Sequence, residues 1–119
     1  MYSYIVIDDE VIIRKGLIKK ISDIEGSRYE CVGEAENGLK GLELVKEKNP
    51  DIIITDMKMN KMDGVQFLET LRDSRLEQPV IVISSFKDFE YMHKAIESRV
   101  IGYVLKPFSS EEIGRQLQK

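Results

Sequence analysis

Five side chains able to do chemistry stand where short hydrophobic runs end. Asp8 and Asp9 follow Tyr4 to Ile7, Asp56 follows Ile52 to Thr55, Ser84 follows Val80 to Ile83, and Lys106 follows Gly102 to Leu105. Acids of this kind cannot neutralise one another, but they can hold a hard divalent cation, and Mg²⁺ takes oxygen ligands from one or two carboxylates while keeping water for the rest. A carboxylate oxygen is a weak nucleophile that works only where positive charge is close. Lys106 offers a point charge and Ser84 a hydroxyl donor.

These residues meet only if the runs are neighbouring strands of one sheet. Ile52 to Thr55 leaves no room for polar alternation, so it reads as a strand covered on both faces, as in a parallel sheet. Between the runs lie segments of helical spacing. Val11, Ile12, Leu17, Ile18, Ile21 and Ile24 predict a first helix ending near Glu25-Gly26. Asn37 as N-cap, with Leu39, Leu42, Leu44 and Val45 as a core face, predicts a second, stopped by Asn49-Pro50. Val65, Phe67, Leu68 and Leu71 mark a third, after the turn Asp63-Gly64, and Phe89, Met92 and Ile96 a fourth. Ser109 and Glu112 fit a capping box for a fifth, facing inward through Ile113 and Leu117. Tyr29 to Glu36 is the most polar strand and suits a position towards the sheet edge. Strand and helix alternate without repeats or linkers, which predicts an α/β sandwich with helices on both faces. In such sheets the carboxyl ends of the strands form the rim where ligands collect.

At 119 residues the chain reads as one domain, 1–119. A 42% hydrophobic and 33% charged composition reads as globular. A net charge of -3 without a dense basic block argues against direct nucleic-acid binding by this segment. No apolar run approaches the roughly 20 residues of a membrane helix, and the N-terminus lacks a secretory pattern, so a cytoplasmic protein with no membrane contact is the expectation. The single Cys31 cannot form an internal disulfide and reads as a small core residue.

Taken in order, the set Asp8-Asp9, Asp56, Ser84, Tyr103 and Lys106-Pro107 resembles the receiver domain of two-component response regulators over essentially the whole chain. The phrase ISSFKDFEYMHKAI further resembles receivers that precede an AraC-type DNA-binding domain. The resemblance implies a flavodoxin-like five-stranded parallel sheet of order 2-1-3-4-5. It implies a switch, not a metabolic enzyme, in which Asp56 takes a phosphoryl group from a sensor histidine kinase and later loses it by self-catalysed hydrolysis. It implies Mg²⁺ held directly by Asp9 and Asp56, largely through water by Asp8, and by the backbone carbonyl of Lys58. Lys106 and Ser84 would bind the phosphoryl oxygens. Ser84 moving inwards would vacate space for Tyr103 and alter the face made by the fourth helix, fifth strand and fifth helix. The output domain, DNA-binding and controlling transcription, would lie outside this segment on its C-terminal side, and phosphorylation could drive homodimerisation. Two positions depart from the family's habit: Asn60-Lys61 stands where proline then glycine is common, and Ser85 where a small Ala or Gly is common.

Other readings compete. Asp8 and Asp9 could merely cap the first helix. A phosphatase of the haloacid dehalogenase type also uses a strand-end Asp with Mg²⁺, but needs an acid two residues on, where this chain has Lys58. A flavodoxin would need a phosphate-cradling loop where Asp8-Asp9-Glu10 would repel phosphate. A receiver-like protein that is never phosphorylated would not be expected to keep every active group. Met57, Met59 and Met62 could bind a soft metal, but without His or Cys nearby they read as packing. The sole histidine, His93, falls mid-helix away from every strand exit.

Overall fold

The computed structural model describes residues 2–24, 28–56, 62, 64–84, 100–105 and 110–117, with the backbone alone at 64, 65, 84, 100–105 and 110–112. Five strands, β1 (Tyr2–Ile7), β2 (Tyr29–Ala35), β3 (Ile52–Asp56), β4 (Val80–Ser84) and β5 (Val100–Leu105), form one parallel sheet of order β2-β1-β3-β4-β5. Helices α1 (Val11–Ser22), α2 (Gly38–Lys48), α3 (Gly64–Asp73) and a C-terminal helix (Ser110–Leu117) cover it. The helix expected over Phe89 to Ile96 lies outside the described residues.

Strand periodicity explains the unbroken apolar runs. Successive side chains point to opposite faces, so Ile5, Ile7, Ile53, Val80 and Val82 join one core with Val45 of α2 and Phe67, Leu68 and Leu71 of α3. Tyr4, Val6, Ile52, Ile54, Ile81 and Ile83 join the other, with Leu17 and Ile21 of α1 and Ile113 and Leu117 of the C-terminal helix. Neither face of the central strands meets water, so a polar residue there needs a hydrogen-bond partner, as Thr55 has in Asp56 O. Truncating a fully buried side chain such as Ile53 to alanine should cost about 2–5 kcal/mol.

The elements depart from the sequence reading in instructive places. β1 starts at Tyr2, not Tyr4, because polar Ser3 is satisfied inside the sheet: Ser3 N–H donates to Asp51 Oδ2 at 2.8 Å, and Asp51 N–H returns to Ser3 O at 3.0 Å. β2 is one of the two edge strands, as its polarity predicts, and a register shift at Tyr4/Ile5 leaves Val32 as its extra residue. α1 stops at Ser22, whose hydroxyl donates to Lys19 O at 2.8 Å and competes with the helical ladder. α2 begins as expected, with Asn37 Oδ1 accepting from Lys40 N–H at 2.9 Å, and ends at Asn49 in the left-handed region, φ 46°.

Three apolar residues of the helical patterns are exposed. Val11 and Ile12, in the first turn of α1 just after the end of β1, are 52% and 81% exposed. Leu39 is 48% exposed, while Val45 is buried and Leu42 and Leu44 pack partly buried against the core as expected, joined on that face by Gly38 and Gly41. Gly41 is needed for close approach: a Cβ there would press into the Ile7 side chain.

Candidate functional site

Sheet register builds the site. Ile7 pairs with Thr55, so the next residues, Asp8 and Asp56, stand side by side where the two central strands end. Asp56 pairs with Ile83, and Ser84 with Leu105, which carries the rim outward across β4 and β5. The carboxylates of Asp8, Asp9 and Asp56 each present an oxygen within 4.8 Å of the others. Asp8 and Asp56 are buried and Asp9 is exposed, so the cluster has a closed floor and an open side.

The loop carrying the first two acids is held from several directions. Asp8 N–H donates to Ala35 O of β2 at 3.0 Å, and Asp8 Oδ1 accepts from Glu10 N–H at 2.9 Å. The cap position of α1 is Glu10, which makes no side-chain cap bond, so Asp8 shapes the turn before the helix and does not cap it. On the other strand Thr55, fully buried, donates its hydroxyl to Asp56 O at 2.9 Å.

The donor set suits a hard cation. Two oxygens at about 2.1 Å from one Mg²⁺ ion are at most about 4.2 Å apart, so carboxylates spanning 4.8 Å close on it with a shift of roughly half an ångström, or through a water. All three donors are carboxylate oxygens; the one methionine of the loop that is described, Met62, packs against the core beneath α2 and α3. Lys58, Lys106 and the side chains of Ser84 and Tyr103 lie outside the described residues, as do Met57, Met59 and His93.

Sequence reasoning missed Arg14 and Glu34. Arg14 Nη1 donates to the backbone oxygen of Asp8 at 2.6 Å and its Nε to Glu34 Oε1 at 3.0 Å, while Lys15 Nζ reaches Glu34 Oε2 at 2.7 Å. Burial alone would push the Glu34 carboxyl up, but the hydrogen bonds and charges of Lys15 and Arg14 together hold it below the usual carboxylate range. A signal was available, for Arg14 lies three and seven residues before Leu17 and Ile21, on the stripe that faces the sheet. A charge on an apolar stripe needs a partner. Cys31 is half-buried, its thiol raised chiefly by burial, in keeping with a packing role.

An open depression of about 440 Å³, lined by Asn49, Asp51, Arg75 and Gln78 among others, lies at the opposite rim, where β3 and β4 begin. It is remote from the acids.

A doubly wound parallel sheet with three acids gathered at the carboxyl ends of its two central strands defines a class of α/β domain whose chemistry sits on that rim. The response regulator receiver domain model matches residues 4–118, and the chain belongs to that family. It is 36% identical over 113 residues to an uncharacterised response regulatory protein of Staphylococcus epidermidis, covering 95% of this chain and 44% of that protein. Among solved structures it resembles a DNA-binding response regulator of the LuxR family from Staphylococcus aureus, with 31% identity, TM-score 0.86 and coverage of 99% and 97%. It also resembles a two-component transcriptional regulator AraC from Clostridium phytofermentans, with 28% identity, TM-score 0.83 and coverage of 99% and 94%. The chain spans less than half the length of the curated relative. No helix among the described residues is long and apolar enough to cross a membrane.

Proposed function

We propose that this domain is a phosphorylation-dependent switch in which Asp56 accepts a phosphoryl group from the phosphohistidine of a sensor histidine kinase. The observation that carries the reading is the meeting of Asp8, Asp9 and Asp56 within 4.8 Å at the strand ends. An Asp56 carboxylate oxygen bonds to phosphorus as the bond from phosphorus to the donor imidazole breaks. The imidazole nitrogen keeps the electron pair and takes up a proton. Asp9 and Asp56 would hold Mg²⁺, with Asp8 acting largely through water and the Lys58 carbonyl completing the protein's share. When bound, the ion neutralises negative charge on the phosphoryl oxygens. Lys106 pairs first with the Asp56 carboxylate and then with a phosphoryl oxygen, and the Ser84 hydroxyl donates to another.

The domain catalyses only its own modification. Water later attacks the aspartyl phosphate, restoring the carboxylate and releasing phosphate. The phosphoryl group adds about -1.5 to -2 charges; it draws Ser84 inwards, Tyr103 fills the vacated space, and the face of the fourth helix, fifth strand and fifth helix changes. That face controls a C-terminal output domain, DNA-binding and of AraC type by the wording ISSFKDFEYMHKAI, in a cytoplasmic regulator that dimerises when phosphorylated. The net charge of -3 suits a segment that leaves DNA contact to another module.

The test is phosphorylation by acetyl phosphate with Mg²⁺, read by mass spectrometry on wild type and Asp56→Asn. One acid-stable, base-labile phosphoryl group is expected on the wild type and none on the variant. Equal labelling of the two would overturn the assignment.

A further inference from the structure

We infer that Arg14, braced by Glu34, is a positioning residue for the cation site, an inference that rests on the reading that Asp9 and Asp56 hold Mg²⁺. The oxygen that Arg14 grips at 2.6 Å belongs to the peptide joining Asp8 to Asp9. A peptide unit is planar, so fixing its carbonyl fixes the departure angle of the Asp9 Cα and hence the arc its carboxylate sweeps. Asp9 is the exposed member of the cluster, so the backbone that carries it has more to decide about where its carboxylate lies. Asp8 is anchored on both sides of its Cα, by its N–H to Ala35 O and by its carbonyl to Arg14.

The guanidinium can serve because it is itself held. Its Nε bond to Glu34 Oε1 is 3.0 Å, Lys15 secures the other Glu34 oxygen, and the two side chains of the Arg14–Glu34 pair are only 16% and 25% exposed. The Nη1 and Nε donors sit at fixed positions in one plane and bond the Asp8 carbonyl and the Glu34 carboxylate together, whereas a lysine ammonium offers its three donors from a single point on a flexible stem and would not hold the two groups in that relation. Glu34 stands on β2 and Arg14 on α1, so the brace joins the sheet edge to the helix that follows the acids.

Charge and position predict opposite results, which makes the inference testable. Arg14 carries a positive charge near a cation site. If it acted by charge alone, its removal would tighten Mg²⁺ binding. If it positions the acids, its removal weakens binding, and partners that orient metal ligands are typically worth about 10-fold or more in affinity. Calorimetric titration of the 119-residue chain with Mg²⁺, with melting temperatures in chelator as the measure of structural damage, separates the two. The expected result is a roughly 10-fold rise in Kd for Arg14→Ala and a similar rise for Arg14→Lys. Glu34→Gln, which keeps the oxygen acceptor, should stay close to wild type, and Glu34→Ala should fall between.

An unchanged or lower Kd in Arg14→Ala, with or without a lower melting temperature, would overturn the positioning role. Should that variant not fold, an unchanged Kd in Arg14→Lys would do the same. Wild-type binding that Asp56→Asn leaves intact, or no wild-type binding at all, would overturn the cation site together with the brace. Binding that Asp56→Asn weakens but the Arg14 variants do not would overturn the brace alone.

Discussion

Replacing Asp56 with asparagine removes one of three negative charges whose oxygens lie within 4.8 Å of one another, with almost no change in shape. At 4.8 Å a pair of like charges repels by about 3 kcal/mol at an effective dielectric constant of 20, and by about 1 kcal/mol in water. Two such repulsions are relieved at a site with a buried floor and an open side, but the Asp56–Lys106 pair of the proposed function is lost with them, so a net relief of about 1–2 kcal/mol is expected in the absence of metal. For a domain of this size that is a rise in melting temperature of roughly 3 to 11 °C. Mg²⁺ should do for the wild type what the substitution does for the variant. At ten times its Kd it adds about 1.4 kcal/mol, or roughly 3 to 8 °C. The variant, lacking a ligand, should respond far less. Thermal melts of both proteins, each with Mg²⁺ and with chelator at matched ionic strength, give the four numbers required. If the variant melts no higher than the wild type in chelator, and Mg²⁺ raises both equally or neither, the acids do not act as one site.

Two further outcomes follow from packing and titration. Gly41→Ala forces a methyl group against the fully buried Ile7, and should destabilise by about 1–3 kcal/mol in urea unfolding, whereas Gly16→Ala, with nothing within 4 Å of its added Cβ, should stabilise by about 1 kcal/mol through helix propensity. The pH profile should bend at both ends. The folded chain holds Glu34 below its ordinary 4.5, so the unfolded state binds that proton first; the contribution is full above this value, is lost as pH falls through the folded-state pKa, and should disappear from the acid limb in Glu34→Gln. Tyr4, raised above its ordinary 10.0 chiefly by burial, works the other way, and stability should fall as pH climbs past that value because the unfolded chain ionises first.

The identities of the rim residues were legible in the sequence because a strand buried on both faces must be an unbroken apolar run, and the first polar residue after it marks the exit. Ile52 to Thr55 followed by Asp56 could be read in no other way, and the Asn37 cap and Asn49 stop were equally local. What the amino-acid order could not supply was distance between residues far apart in the chain. Asp8 lies beside Asp56 only because Ile7 pairs with Thr55, a register set by ladder hydrogen bonds and by the interlocking of two cores. Helical periodicity likewise finds an apolar pattern but not which of its members the sheet covers, so Val11 and Ile12, which belong to that pattern, and Leu39, expected on a core face, are exposed. Ser3 lies before the apolar run that marks the first strand, and joins the strand with Asp51 against it. Arg14 and Glu34 belong to the same class: each is an ordinary charged residue in the sequence, and only the tertiary structure, by laying α1 across the edge strand, joins them to the peptide that carries Asp9.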